Sequence, residues 1–138
     1  MDDRPRALTR AYELAAGFLD TLDDRPVWPR ATYEQMREAF GGELPAGGAD
    51  PVEVVEDLAR RADPGIAGIA GGRFFGFVIG GELPAALGAD WLTSVWDQNV
   101  GLNSLTPAAA AAESVAGRWI VDALGLPRGR GSGWSRAE

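Results

Sequence analysis

Apolar residues recur at helical spacing in five stretches of this 138-residue chain. In the first, Leu8, Ala11, Tyr12, Ala15, Phe18, Leu19 and Leu22 follow the i, i+3, i+4, i+7 pattern of a single helix face. Arg10, Glu13 and Asp20 fall largely off that stripe. The pattern stops at Asp23-Asp24-Arg25-Pro26. Pro26 and Pro29 each bias the residue before them away from helix, which predicts an extended Val27-Trp28. Thr32 and Gln35 have the spacing of a capping box. They predict a short helix with Tyr33, Met36 and Phe40 on its apolar face, ended by Gly41-Gly42. After a loop over 43–49, Asp50 is placed to cap a third helix. Pro51 would take its first position and Glu53 would complete the box. Val54, Val55, Leu58 and Ala62 form its expected buried face, and Asp63-Pro64-Gly65 breaks it.

Residues 66–81 differ in kind. They are rich in Gly and aromatics, with Arg73 as their one charge. Phe74 to Ile79 reads as a short buried strand or an extended strap. A fourth helix is predicted from Pro84, with Leu87, Trp91, Leu92, Val95 and Trp96 on a wide apolar face, ending around Asn99-Val100-Gly101. Thr106 is expected to cap a fifth helix that starts at Pro107, with Val115, Trp119, Ile120 and Leu124 on its core side. Gly125 has the place of a left-handed terminator, with Leu126 at the hydrophobic position that follows it. Residues 128–138 fit no apolar pattern and are read as disordered. The expected class is mainly α, with one short extended strap and no internal repeat.

Composition narrows this picture. Hydrophobic content of 46% is enough for a core and argues against wholesale disorder. The length suits one modest domain or a piece of a larger one. A net charge of -7 argues against nucleic acid and anionic membrane as partners, because both need a basic surface. The opening Met1-Asp2-Asp3-Arg4-Pro5 is acidic and lacks the apolar core of a signal peptide. Phe74 to Ile79, the most continuous apolar run, is far short of the roughly 20 residues of a membrane span. A cytoplasmic location is the resulting expectation.

Candidate chemistry is narrowed by what the alphabet omits. There is no Cys and no His, and all 13 basic residues are Arg. Thiolate metal sites and His general bases are therefore out of reach for these residues. Ser94, Ser104, Ser114, Ser132 and Ser135 have no His or Lys to activate them. Asp23-Asp24 and Glu53-Glu56-Asp57 are the candidate carboxylate pairs for hydrolysis, and both read better as solvated charges at helix ends. No GxGxxG or GxxxxGK[ST] phosphate loop occurs. Gly71-Gly72 and Gly80-Gly81 read as turns and close-packing points. Phe74-Phe75-Gly76-Phe77 is either a core strand or the apolar wall of a ligand pocket.

Taken in order, these residues resemble the early segment of the group II pyridoxal-phosphate-dependent amino-acid decarboxylases. The likeness is greatest to bacterial relatives of the aromatic-L-amino-acid enzymes. It is carried by Arg73-Phe74-Phe75-Gly76-Phe77-Val78 and Leu83-Pro84-Ala85-Ala86-Leu87. It continues through Asp97-Gln98-Asn99, Thr106-Pro107, Glu113, Trp119 and Leu124-Gly125-Leu126-Pro127. Upstream it includes Arg25-Pro26-Val27, Leu44-Pro45 and Asp50-Pro51. It runs from about Ala7 to Pro127. The family often has Pro where Gly72 stands. The resemblance implies a fold-type-I homodimer. In it 1–65 would be a helical arm against the second subunit, 66–83 a strap lining the substrate pocket, and 84–127 the start of the major domain. By matching position, Phe77 and Val78 would face an amino-acid substrate, and Leu102 and Asn103 would lie in a loop reaching toward the partner's site.

The implied cofactor is pyridoxal 5'-phosphate, which needs a Lys for its internal aldimine. The chain has none, so the resemblance implies a carboxy-lyase segment inactive by itself. Dimerisation and pocket lining would be its roles, with the cofactor-holding portion supplied from elsewhere. The family continues after this point with a Gly-rich strand ending in Val-Thr-Gly-Gly. A one-base shift of the codons for Gly133-Trp134-Ser135-Arg136-Ala137-Glu138 can encode Leu-Val-Thr-Gly-Gly, so the expectation for 128–138 is a frameshifted tail. The alternative is a small non-enzymatic helical protein that uses its apolar faces to bind a partner.

Overall fold

Proline opens four of the five helices in the computed structural model, which describes residues 2–99 and 101–127. Pro5, Pro51, Pro84 and Pro107 sit in the first turns of α1 (Arg4–Asp20), α3 (Pro51–Ala62), α4 (Pro84–Trp96) and α5 (Pro107–Ala123). A first-turn N–H has no partner within the helix, so its loss costs nothing there, and the fixed φ is already helical. The remaining helix, α2 (Tyr33–Phe40), starts at a reciprocal capping box. The Gln35 N–H donates to Thr32 Oγ1 at 3.3 Å, and the Thr32 N–H donates to Gln35 Oε1 at 2.8 Å.

Asp50 caps α3 as expected, accepting from the Val52 N–H at 2.8 Å, without the reciprocal bond from Glu53 that a full box would add. Thr106 gives its helix no side-chain cap. It is buried, and its hydroxyl donates backwards to the carbonyls of Asn99 and Leu102, so it holds the loop before α5 rather than the helix end. The far end of α5 is as expected. Gly125 has φ +63°, its N–H donates to Asp122 O, and the Leu126 N–H donates to Val121 O. This is a Schellman stop, which a residue with a Cβ enters only at a cost. α4 ends earlier than expected, with Asp97 left-handed at φ +49°.

The described residues form two units, the first ending at Glu82 and the second beginning at Leu83. In the first, α3 packs against both α1 and α2. Two ion pairs tie α1 to the start and middle of α3: Arg6 with Asp50 at 3.4 Å and Arg10 with Glu56 at 2.6 Å. The Arg61 guanidinium donates to Ala39 O at 2.6 Å and so closes the exposed carbonyl end of α2. A 3-10 turn over Asp63–Gly65 follows α3. Its Pro64 carbonyl accepts from the Arg30 and Ala31 N–H groups, and Val27 O accepts from Gly68. These bonds bend the chain at Val27 and Trp28, where straight extension was expected. Gly68 is buried there, and a Cβ on it would meet Pro26 O at 3.3 Å.

The apolar faces differ from the periodic reading. In α1, Ala11, Leu14, Ala15 and Phe18 are partly covered, whereas Leu8, Tyr12 and Leu19 stay exposed. The stripe is wider than a single neighbouring helix can cover. In α3, Val52, Val55, Ala59 and Ala62 turn inward, and Val54 and Leu58 are exposed. In α2, Met36 and Ala39 are covered, but Tyr33 and Phe40 are not. The expected core side of α5 is corrected most sharply: Trp119 is 71% exposed, and Ile120 and Leu124 are exposed as well. Phe74 is the one buried hydrophobic side chain among the described residues.

No strand occurs among the described residues. This corrects the reading of Phe74 to Ile79 as a strand or extended strap. The segment turns instead, with Phe77 at φ +55° and Val78 at φ +57°. The expected tail, 128–138, lies outside the described residues.

Candidate functional site

Two features of the first unit have the form of a site. One is a groove of about 950 Å³ along α1 and α3. Ala11, Leu14 and Phe18 line it from α1, and Val55, Leu58 and Ala59 from α3. Small Ala side chains on both helices leave the space open, while the larger residues make its walls apolar. Charged residues occupy the rim as pairs. Arg10 binds both Glu13, at 2.7 Å, and Glu56. Asp57 is held by Arg60 and Arg61. These bonds use Glu56 and Asp57 of the acidic run for packing α1 on α3 and for bracing α3 itself. Each of these carboxylates, with Glu13, is tied to a guanidinium, so none of them is free for acid–base work.

One end of the groove is closed by an ion-pair cluster that the sequence pattern did not point to. Arg25, mostly buried, lies over the Phe18 ring at 4.6 Å and pairs with Asp63. Arg30 reaches the other Asp63 oxygen at 2.6 Å. The hydrogen bond from Arg25 is the main cause that holds the Asp63 carboxyl below the usual carboxylate range, with the charge of Arg30 adding to it. The partners lie 38 residues apart, so no local spacing could signal them.

The other feature is the aromatic turn. Phe74 packs edge-on against Trp28, with ring centroids 6.2 Å apart, and Phe77 does so from another side at 6.1 Å. The Ile79 N–H donates to Gly76 O at 3.1 Å. Residues 76–79 therefore make a hydrogen-bonded turn whose two central residues both have positive φ, the type I′ geometry. That geometry favours Asn and Gly. Here its centre is Phe-Val, and the glycines stand outside it at Gly76, Gly80 and Gly81. Each such residue costs on the order of 1–3 kcal/mol, and a β-branched one is the harder case. The side chains gain little in return: Phe77 is 76% exposed, Val78 108% and Phe75 93%.

Phe77 and Val78 are thus adjacent at the tip of one exposed turn in the first unit. Leu102 and Asn103 belong to the second unit, in the loop before α5. The Leu102 carbonyl anchors that loop by accepting from Leu105 N, Thr106 N and the Thr106 hydroxyl.

Fit to pyridoxal phosphate can be judged from the side chains present. The cofactor needs an amine, and the sequence has no Lys. Its phosphate needs a free cation or a cradle of N–H groups. The guanidinium groups along the groove, Arg10, Arg25 and Arg60, are each engaged by carboxylates. These residues do not fit the cofactor, and no step through it follows from them. Among the described residues no group of three or more acidic side chains is placed to hold a metal. No helix among them is long and apolar enough to cross a membrane. In comparisons with protein-family models, curated proteins and solved structures, the chain matches none.

Proposed function

We propose that this chain serves as the interface and pocket-lining segment of a pyridoxal-phosphate-dependent amino-acid decarboxylase, with the cofactor held by a separate portion of that enzyme. The observation that carries this reading is the mismatch between apolar content and burial. Large hydrophobic residues recur at helical spacing on all five helices, yet most remain exposed in the chain alone. A segment built to be covered by other protein has this character. The ordered likeness from Arg25-Pro26-Val27 to Leu124-Gly125-Leu126-Pro127 supports the choice of enzyme class. On this reading Phe77 and Val78 face the amino-acid substrate, and Leu102 and Asn103 lie in a loop that reaches toward the second subunit's site. The aldimine Lys comes from the cofactor-holding portion, and a second subunit completes the homodimer.

Co-expression tests it. The chain is produced together with the cofactor-holding portion of a bacterial aromatic-amino-acid decarboxylase, and the purified material is scanned for aldimine absorbance and decarboxylation. The expected result is co-purification with both signals. Within that assembly, Phe77→Ala is expected to raise KM for the amino acid. Separate elution of the two portions, with no activity, would refute the reading.

The exposed faces also favour the second reading, a non-enzymatic helical protein that binds a partner through them. It predicts no gain of aldimine absorbance in the same experiment.

A further inference from the structure

We infer that residues 74–79 are a two-state strap, held in its turned form by a latch at Trp28 and poised to open into extended backbone. The inference rests on the geometry of this chain and not on the proposed enzyme class. Three observations carry it. First, Phe77 and Val78 occupy consecutive left-handed positions, at φ +55° and +57°, where type I′ turns favour Asn and Gly. Such outliers persist only where surrounding contacts hold them. Second, the holding contacts are few. The turn has the Ile79 N–H to Gly76 O bond, and Phe77 has its edge contact with Trp28 at 6.1 Å. The Val78 side chain, fully exposed, adds nothing. Third, the segment has fixed ends. Phe74 is buried against Trp28, and beyond the turn a Cβ on Gly81 would meet Ala70 O at 3.1 Å.

The two forms present different surfaces. In the turned form Phe77 leans on Trp28. In extended backbone successive side chains alternate, which places Phe75, Phe77 and Ile79 on one face. Opening releases the strain at both central residues and presents three large apolar side chains together. The backbone beside Trp28 is tied to the frame, because the carbonyl of neighbouring Val27 accepts from Gly68 at 3.0 Å. The latch thus has a backbone anchor next to it, whereas the turn has only its one hydrogen bond and the Phe77 edge contact.

The test uses the full chain in solution, observed by backbone NMR. Carbon chemical shifts at Phe77 and Val78 report left-handed or extended backbone, and amide exchange at Ile79 reports the turn's hydrogen bond. Val78→Gly removes the strain from the turned form and is expected to slow Ile79 exchange about tenfold. Trp28→Ala removes the latch and is expected to move the Phe77 and Val78 shifts toward extended values and to speed Ile79 exchange. Trp28→Phe, which keeps a ring, is expected to retain most of the turn. Shifts of the α1 and α3 residues show whether the frame survives each change. Should the frame not survive Trp28→Ala, Val78→Gly decides alone, because that exposed side chain supports nothing else. Unchanged Ile79 exchange in Val78→Gly, or unchanged Phe77 and Val78 shifts in a folded Trp28→Ala, would overturn the inference.

Discussion

Asp63 shows how much a single residue does in the first unit. Its carboxylate joins Arg25, from the turn that follows α1, to Arg30 from the bent segment, and its own backbone closes the 3-10 turn after α3. Because its pKa is depressed in the folded unit, the unfolded chain takes up the proton first as pH falls. The stabilisation is whole above about pH 4 and drains away as pH drops through the lower folded value. Acid titration of helicity is therefore expected to show a loss below about pH 4 that Asp63→Asn flattens. Arg25→Met is expected to destabilise the unit by about 1–2 kcal/mol, from the lost charged hydrogen bond and the contact with the Phe18 ring. The partial exposure of Asp63 to water keeps the effect well below that of a buried pair. Urea denaturation followed by circular dichroism measures it, and an Arg25→Met curve that overlays the parent would remove Asp63 from this role.

At the scale of elements, helix starts were legible because they are written locally. Pro51, Pro84 and Pro107 mark three of them, Thr32 with Gln35 marks a fourth, and Gly125 marks a stop. Each signal lies within one turn of the element it defines, so tertiary context cannot move it. Thr32→Ala is expected to cost about 1 kcal/mol and to fray α2. Gly125→Ala, at φ +63°, is expected to cost roughly 1 kcal/mol and to unwind the end of α5. Helicity lost on heating measures both, and a gain for Gly125→Ala would contradict the left-handed stop.

What periodicity could not give was which apolar residue faces what. The α1 stripe included Tyr12 and Leu19, yet α3 covers the side carrying Ala11 and Leu14. The aromatic run departs from a strand for a related reason. Phe74 to Ile79 has the composition of a strand, but no neighbouring strand is present among the described residues to pair with it. Left without a ladder, its backbone bonds close locally between Gly76 and Ile79. Thr106 stands at the expected N-cap position of α5 without capping it, because its nearest acceptors are carbonyls of the preceding loop.

At the scale of the molecule, apolar surface outruns the means to cover it. The groove of about 950 Å³ along α1 and α3, the exposed faces of α4 and α5, and the strained aromatic turn are all left uncovered by the described residues. The candidate site was legible only as a resemblance. Phe77 and Val78 could be singled out from an ordered series of motifs, but their strained geometry and the Trp28 contact depend on a fold that no local pattern encodes. On the proposed function these faces need other protein to complete them. Scanning calorimetry of the purified 138-residue chain tests it most directly. A weak, broad transition with little cooperative enthalpy is expected. A sharp two-state peak with an enthalpy on the order of 90 kcal/mol, as a self-sufficient domain of this length would give, would contradict it.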